Sequence, residues 1–224
     1  MMKPFKACQG VYAIGGSELS HPYDCSAYLI AGDDELVMID SGAGHSFDRL
    51  VSNIESLGFK AEGIAAVIAT HAHIDHIGAL YRFREEFGVQ VIAHELEARA
   101  IETGRGIGAE FYGVAYQPCR VDIKLSGPEE VLRYGGYELK AIHIPGHTPG
   151  SIAVYVDIGE RVLFGQDVHG PYFLPGSDTA QAMISLQKLI DLKADILCEG
   201  HFGIYQPATE VKRYIEGYLH SLCS

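Results

Sequence analysis

A chain of 224 residues with 47% hydrophobic and 21% charged residues can bury a sizeable core and has a globular enzyme's composition, not a disordered segment's. Its formal net charge of −12, with no basic stripe, argues against nucleic acid as the main partner, because polyanion binding leans on Lys/Arg clusters. The opening residues hold no apolar secretory core and no run approaches a membrane span, so a cytoplasmic protein without a membrane partner is expected.

The chain shows no linker, low-complexity block or fixed-period repeat, and a single domain over residues 1–224 is expected. Short apolar runs at Gly10 to Ile14, Ser26 to Ile30 and Glu35 to Ile39 read as strands. Phe47, Leu50, Val51, Ile54 and Leu57 recur at helical spacing, with Gly58 as a stop. The run Ile64 to Ala69 reads as a buried strand, and Ile77, Leu80, Tyr81 and Phe87 mark a helix ended by Gly88. A strand at Val89 to Ala93 and a helix at Glu95 to Glu102 follow. Residues 104–117, punctuated by glycine and carrying Phe111, Tyr112 and Tyr116, suit either a mobile lid or a plain surface connection.

The second half returns to strands. Val131 to Tyr134 and Tyr137 to Ile142 flank Gly135-Gly136, a hairpin signal. Strands at Ser151 to Val156 and Val162 to Phe164 precede a helix near residues 179–192, with Met183, Leu186 and Ile190 on its apolar face. Ile196 to Cys198 is a further strand. The last helix carries the core stripe Val211, Tyr214, Ile215, Tyr218, Leu219 and Leu222. Two strand-rich halves, each closed by helices, predict two packed sheets with helices outside, an α/β (α+β) fold.

The chemistry concentrates in Thr70-His71-Ala72-His73-Ile74-Asp75-His76, directly after a predicted strand. Three imidazoles and a carboxylate this close are costly to desolvate unless a cation sits among them. Three further candidates follow predicted strands in the same way: His147 in Pro145-Gly146-His147, Asp167 in Gly165-Gln166-Asp167, and His201 in Glu199-Gly200-His201. Gly146, Gly165 and Gly200 allow the tight turns that aim a ligand inward. His21, His45, His94, His143 and His220 fall off this pattern and read as surface or packing residues. The five cysteines (Cys8, Cys25, Cys119, Cys198, Cys223) include no C-x-x-C pair and read as free thiols.

The series H-x-H-x-D-H, then H, D and H, resembles the metallo-β-lactamase superfamily from about Val11 to His201. The resemblance implies an αββα sandwich of two mixed sheets with a binuclear site at one sheet edge. It implies His71, His73 and His147 on one metal, Asp75, His76 and His201 on the other, and Asp167 bridging. Asp75 and Asp167 are then the candidate catalytic residues, and Asp40 in Ile39-Asp40-Ser41-Gly42 would support the metal loop. Pro145-Gly146-His147-Thr148-Pro149-Gly150-Ser151 is similar to the glyoxalase II, lactonase and persulfide dioxygenase branches. The stretch Val168 to Pro175 departs from the Gly/Cys/Arg-rich segment of glyoxalase II, which weakens the case for glutathione thioesters. The aspartate at 167 and the missing secretory signal point away from β-lactamase activity.

Imidazole and carboxylate suit zinc first, and also iron or manganese. Seven ligands are too many for one tetrahedral ion and about right for two divalent ions sharing a hydroxide. The reading is a metal-dependent hydrolase of a small-molecule ester, thioester or lactone, hydroxyacylglutathione hydrolase-like in its branch. Two alternatives stand beside it: a mononuclear Fe(II) persulfide dioxygenase-like oxidoreductase using His71, His147 and Asp167, and a non-catalytic metal- or ligand-binding member. Tyr112, His169 and Tyr172 are the candidate substrate contacts, and a homodimer is a further expectation.

Overall fold

The computed structural model describes residues 2–223. The chain forms two compact units, one from the residues up to Ser126 plus Arg133–Gly136, the other from Gly127–Leu132 and the residues from Tyr137 onward.

The first unit holds strands β1 (Phe5–Cys8), β2 (Val11–Ala13), β3 (Tyr28–Ala31), β4 (Leu36–Ile39), β5 (Ile64–Ile68), β6 (Gln90–His94) and β7 (Ile123–Leu125). They lie in one sheet in chain order. Pairing is antiparallel from β1 to β4 and parallel from β4 to β7. Helices fill the parallel crossovers: α1 (Phe47–Ser56), α2 (Ile74–Ile77) with α3 (Leu80–Phe87), and α4 (Glu95–Thr103) with α5 (Ala109–Tyr112). Phe47, Leu50 and Ile54 of α1 and Leu80 and Phe83 of α3 are buried with Leu29, Met38, Val67 and Val91 of the sheet. Each such side chain contributes about 1.5–3 kcal/mol by leaving water.

This topology decides where the loops emerge. Parallel strands β4, β5 and β6 end at the same sheet edge. The registers Tyr28↔Ile39 and Ala13↔Tyr28 place the β2–β3 connection there as well. The histidine motif therefore shares its edge with residues 14–27 and 40–46.

The second unit's sheet has the order β13-β12-β11-β10-β9-β8. Its strands are β8 (Glu129–Tyr134), β9 (Tyr137–His143), β10 (Ile152–Asp157), β11 (Arg161–Gln166), β12 (Ile196–Glu199) and β13 (Ile204–Tyr205). The tip of the β8–β9 hairpin, Arg133–Gly136, belongs to the first unit. There Asp33 N donates to Gly135 O at 3.0 Å and Gly135 N to Glu35 Oε2 at 2.9 Å. Helix α6 (Thr179–Asp191) makes the parallel crossover from β11 to β12, and α7 (Ala208–Leu222) follows β13. Ile142, Leu163 and Leu197 pack with Leu186 and Leu189 of α6 and with Val211 and Ile215 of α7.

Three details depart from the sequence reading. Strands β1, β7 and β13 are short and largely unburied, so they carry little of the apolar run that reveals a strand. The helix expected across Ile77 to Phe87 is two helices, broken at Gly78. Helix α6 buries Ala182, Ser185, Leu186 and Leu189, so of the expected face Leu186 is buried while Met183 and Ile190 are only partly so. Gly146 runs close against this face, since a Cβ added to it would lie 2.5 Å from the Ala182 Cα. No helix among the described residues is long and apolar enough to cross a membrane.

Candidate metal centre

The first unit carries four of the seven candidate ligands, in and just before α2. Asp40, directly after β4, has a left-handed backbone (φ 59°), which Asp tolerates better than most residues. This turn aims its buried carboxylate at the histidine loop. Oδ1 accepts from Thr70 N at 2.8 Å, and Oδ2 accepts from Thr70 Oγ1 at 2.8 Å. His76 Nδ1 lies 2.8 Å from the same Oδ2. A carboxylate can only accept, so Nδ1 carries the proton and His76 Nε2 presents its lone pair. Asp75 Oδ2 is 3.7 Å from that Nε2.

The same logic passes through Thr70. Its hydroxyl proton goes to Asp40, so its lone pairs face His71 Nδ1 at 3.2 Å. That makes His71 Nε2 the acceptor nitrogen of its ring, 3.0 Å from His73 Nδ1. Two imidazole nitrogens at this distance need a proton or a cation between them. His71 and His76 are fully buried and Asp75 nearly so, as suits ligands and not solvated side chains. Glu97 of α4, also buried, accepts from Ala72 N at 2.9 Å and pins the turn between the two histidines. Cys25 lies beside Asp40 and His76. Burial pushes its thiol well above the usual range, against the opposing pull of His76, so it remains a neutral thiol.

The second unit carries the other three, after β9, β11 and β12. His147 Nδ1 lies 3.0 Å from Pro171 O. A carbonyl only accepts, so here too the proton sits on Nδ1. His147 Nε2 faces Asp167 Oδ2 at 3.3 Å, and His201 Nε2 lies 3.5 Å from Asp167 Oδ1. Asp167 is buried and follows Gln166, which is left-handed (φ 49°). Gly200 is required for a reason other than a turn: an added Cβ would stand 2.4 Å from Asp167 Oδ1.

Glu199, fully buried at the end of β12, organises the remaining loop. It accepts from His201 N at 2.6 Å and Phe202 N at 2.8 Å through Oε2, and its Oε1 lies 2.8 Å from His169 Nδ1. His169 is thereby oriented, with its ring against His201 (5.2 Å) and Phe202 (4.7 Å). Tyr172 donates its hydroxyl to Val168 O at 2.8 Å and stands edge-on to His147 at 6.3 Å. Burial, with the nearby Asp167 and Glu199 carboxylates adding to it, raises its phenol pKa, so Tyr172 stays protonated. Tyr112 lies on α5, edge-to-face with Tyr23 at 5.5 Å. Residues 104–117 are anchored by buried Ile107, whose carbonyl accepts from Ile74 N at 2.8 Å, and by Tyr116 Oη donating to Ile101 O at 3.0 Å.

Sequence reasoning overlooked Thr70, Glu97 and Glu199. Glu199 left a readable signal, an acid closing an apolar strand just before a candidate ligand. Glu97 left none, since it resembles any exposed helix glutamate.

Residues 22–201 match the sequence model of the metallo-β-lactamase superfamily. The chain belongs to the metallo-β-lactamase superfamily. A probable metallo-hydrolase of Methanocaldococcus jannaschii is 32% identical over 75% of this chain and 80% of its own length. A hydroxyacylglutathione hydrolase of Haemophilus influenzae is 28% identical over 85% of this chain and 90% of its own. Among solved structures, a motif mutant of a metallo-β-lactamase from Cronobacter sakazakii superposes with a TM-score of 0.82 at 22% identity, covering 99% of this chain and 95% of that one. The two mixed sheets flanked by helices are thus the α/β sandwich of the superfamily. The chain is a metal-binding hydrolase by family, and its histidine and aspartate groups suit divalent metal ions.

Proposed function

We propose that the protein is a binuclear metallohydrolase that cleaves an ester, thioester or lactone of a small molecule. The observation that carries this reading is the tautomer control on its imidazoles. Asp40 fixes the proton of His76 on Nδ1, Thr70 that of His71, and the Pro171 carbonyl that of His147. In each ring the remaining nitrogen is the one nearest another candidate ligand. Metal-ligating histidines have this second hydrogen bond almost without exception.

His71, His73 and His147 would hold one ion, Asp75, His76 and His201 the other, and Asp167 would bridge them, zinc being the first choice for this donor set. Two ions held there would supply Lewis-acid chemistry and a source of hydroxide at neutral pH. The chain's own residues prepare the site. Asp40 and Glu97 fix the loop carrying His71 to His76, and Glu199 fixes the backbone of His201. Glu199 also orients His169 through Nδ1, which leaves Nε2 as the acceptor nitrogen of a ring packed against His201. The hydroxyacylglutathione hydrolase relative supports acyl-thiol substrates within this class.

A panel of activated esters, thioesters and lactones, assayed before and after chelation, tests the proposal. Hydrolysis that chelation abolishes and zinc restores is the expected result. Oxygen uptake on a persulfide with a single bound iron would instead select the dioxygenase alternative.

A further inference from the structure

Helix α2 does more than carry Asp75 and His76. Three loops are hydrogen-bonded to its short span, and each presents an aromatic or imidazole ring outside the ligand set. Residues 20–26 are held by Cys25 N donating to Asp75 O at 3.3 Å. Residues 41–46 are held by Ser41 N donating to His76 O at 2.7 Å and by Gly78 N donating to Gly42 O at 2.8 Å. Residues 104–113 are held by Ile74 N donating to Ile107 O at 2.8 Å.

The first two loops are also locked to each other. Asp24, 2% exposed, accepts from Ser20 Oγ at 2.5 Å, from Ser46 Oγ and from Ala43 N at 2.8 Å. Gly42 leaves room for that carboxylate, since a Cβ there would stand 2.8 Å from it. Among the described residues the hydrogen bonds to this buried acid come from these two loops, so its carboxylate sets their mutual position.

The rings brought together are His21, Tyr23, His45 and Tyr112. His21 and His45 have centroids 4.9 Å apart, His21 and Tyr23 5.3 Å, and Tyr23 and Tyr112 5.5 Å. Tyr23 is 50% exposed and His45 is exposed. Aromatic residues fixed in place yet left open to water are characteristic of recognition surfaces, because rigid rings lose little entropy on binding. These rings are tied to the backbone of two candidate ligands and stand at the same sheet edge.

We propose that His21, Tyr23, His45 and Tyr112 form the specificity platform of the site and select substrates with a planar, apolar acyl group. The inference rests on the hydrolase reading given above. Edge and face contacts with a flat ring are worth about 0.5–1.5 kcal/mol beyond area burial. The platform reassigns His21 and His45, which the sequence alone presents as surface or packing residues.

The test compares acetyl and phenylacetyl thioesters of N-acetylcysteamine on the metal-loaded full chain. The phenylacetyl thioester is expected to have a kcat/KM about ten-fold higher. Tyr23→Ala should cut that preference several-fold through KM, and Tyr23→Phe should preserve it. An unchanged ratio in Tyr23→Ala, including an equal loss on both substrates, overturns the platform. If neither thioester is hydrolysed, the hydrolase reading fails on these substrates, and the platform is read separately by binding. The unreactive thioether S-phenethyl-N-acetylcysteamine should then give saturable shifts of the His21 and His45 ring C–H signals that Tyr23→Ala removes. No such shifts would overturn it.

Discussion

Asp40 Oδ2 and His76 Nδ1 lie 2.8 Å apart, both side chains buried, with the same oxygen also accepting from Thr70 Oγ1. One carboxylate thus fixes the tautomers of His76 directly and of His71 through Thr70. Asp40→Asn keeps the shape and the left-handed backbone, but its amide cannot accept all three hydrogen bonds. Metal affinity is expected to fall about 10–100-fold, the usual cost of losing such a partner. Competition with a chromophoric chelator measures it. Unchanged affinity would show that Asp40 does not orient the rings.

Glu199→Gln replaces a carboxylate oxygen with an amide group that faces either two backbone N–H groups or His169. A buried donor left without its acceptor costs about 1–3 kcal/mol. Thermal unfolding of the metal-free protein should show that loss. Activity should fall as well, because His201 and His169 both lose their support.

Gly78 separates α2 from α3 where the chain passes the 42–44 loop. A Cβ there would lie 2.1 Å from the carbonyl carbon of Ala43. That contact is backbone, so no rotamer change relieves it. Gly78→Ala should destabilise by about 3 kcal/mol or more, read from denaturant midpoints. Gly88→Ala is the comparison, because a Cβ there meets nothing within 4 Å and only its left-handed backbone (φ +70°) is strained.

Asp195 and Arg161 supply a pH dependence away from the site. Arg161 donates to both carboxylate oxygens at 2.7 and 2.9 Å, and its backbone N donates at 2.9 Å. These bonds, the guanidinium's first, lower the carboxyl pKa from 3.8 to about 2. A depressed folded-state pKa stabilises the protein above the unfolded value, and that stability is lost as pH falls from about 4 towards about 2. The pair is partly exposed, so screening keeps the effect small. Asp195→Asn should lower the melting temperature at neutral pH by no more than about 3 °C, and the gap should narrow below pH 4.

The candidate ligands were legible because ligand chemistry is local: H-x-H-x-D-H compresses four donors into six residues at the end of an apolar strand. His147, Asp167 and His201 were legible only as a series of strand ends. Most of the strands and helices were equally open to reading, because α1 and β5 carry strong periodic or continuous apolar patterns. What stayed hidden depends on contacts distant in the chain. Glu97 serves Ala72 across 25 residues, and Gly200 is small for the sake of Asp167. The His21–Tyr23–His45 grouping depends on Asp24 and the α2 backbone holding together two loops that sequence spacing does not relate.

The metal content of the purified protein and its Asp167→Ala variant tests the central claim most directly. Elemental analysis should find about two divalent ions per chain, falling to one or fewer in Asp167→Ala together with loss of hydrolysis. A single ion in the native chain, or an Asp167→Ala protein still active with one, would contradict the paired-metal mechanism.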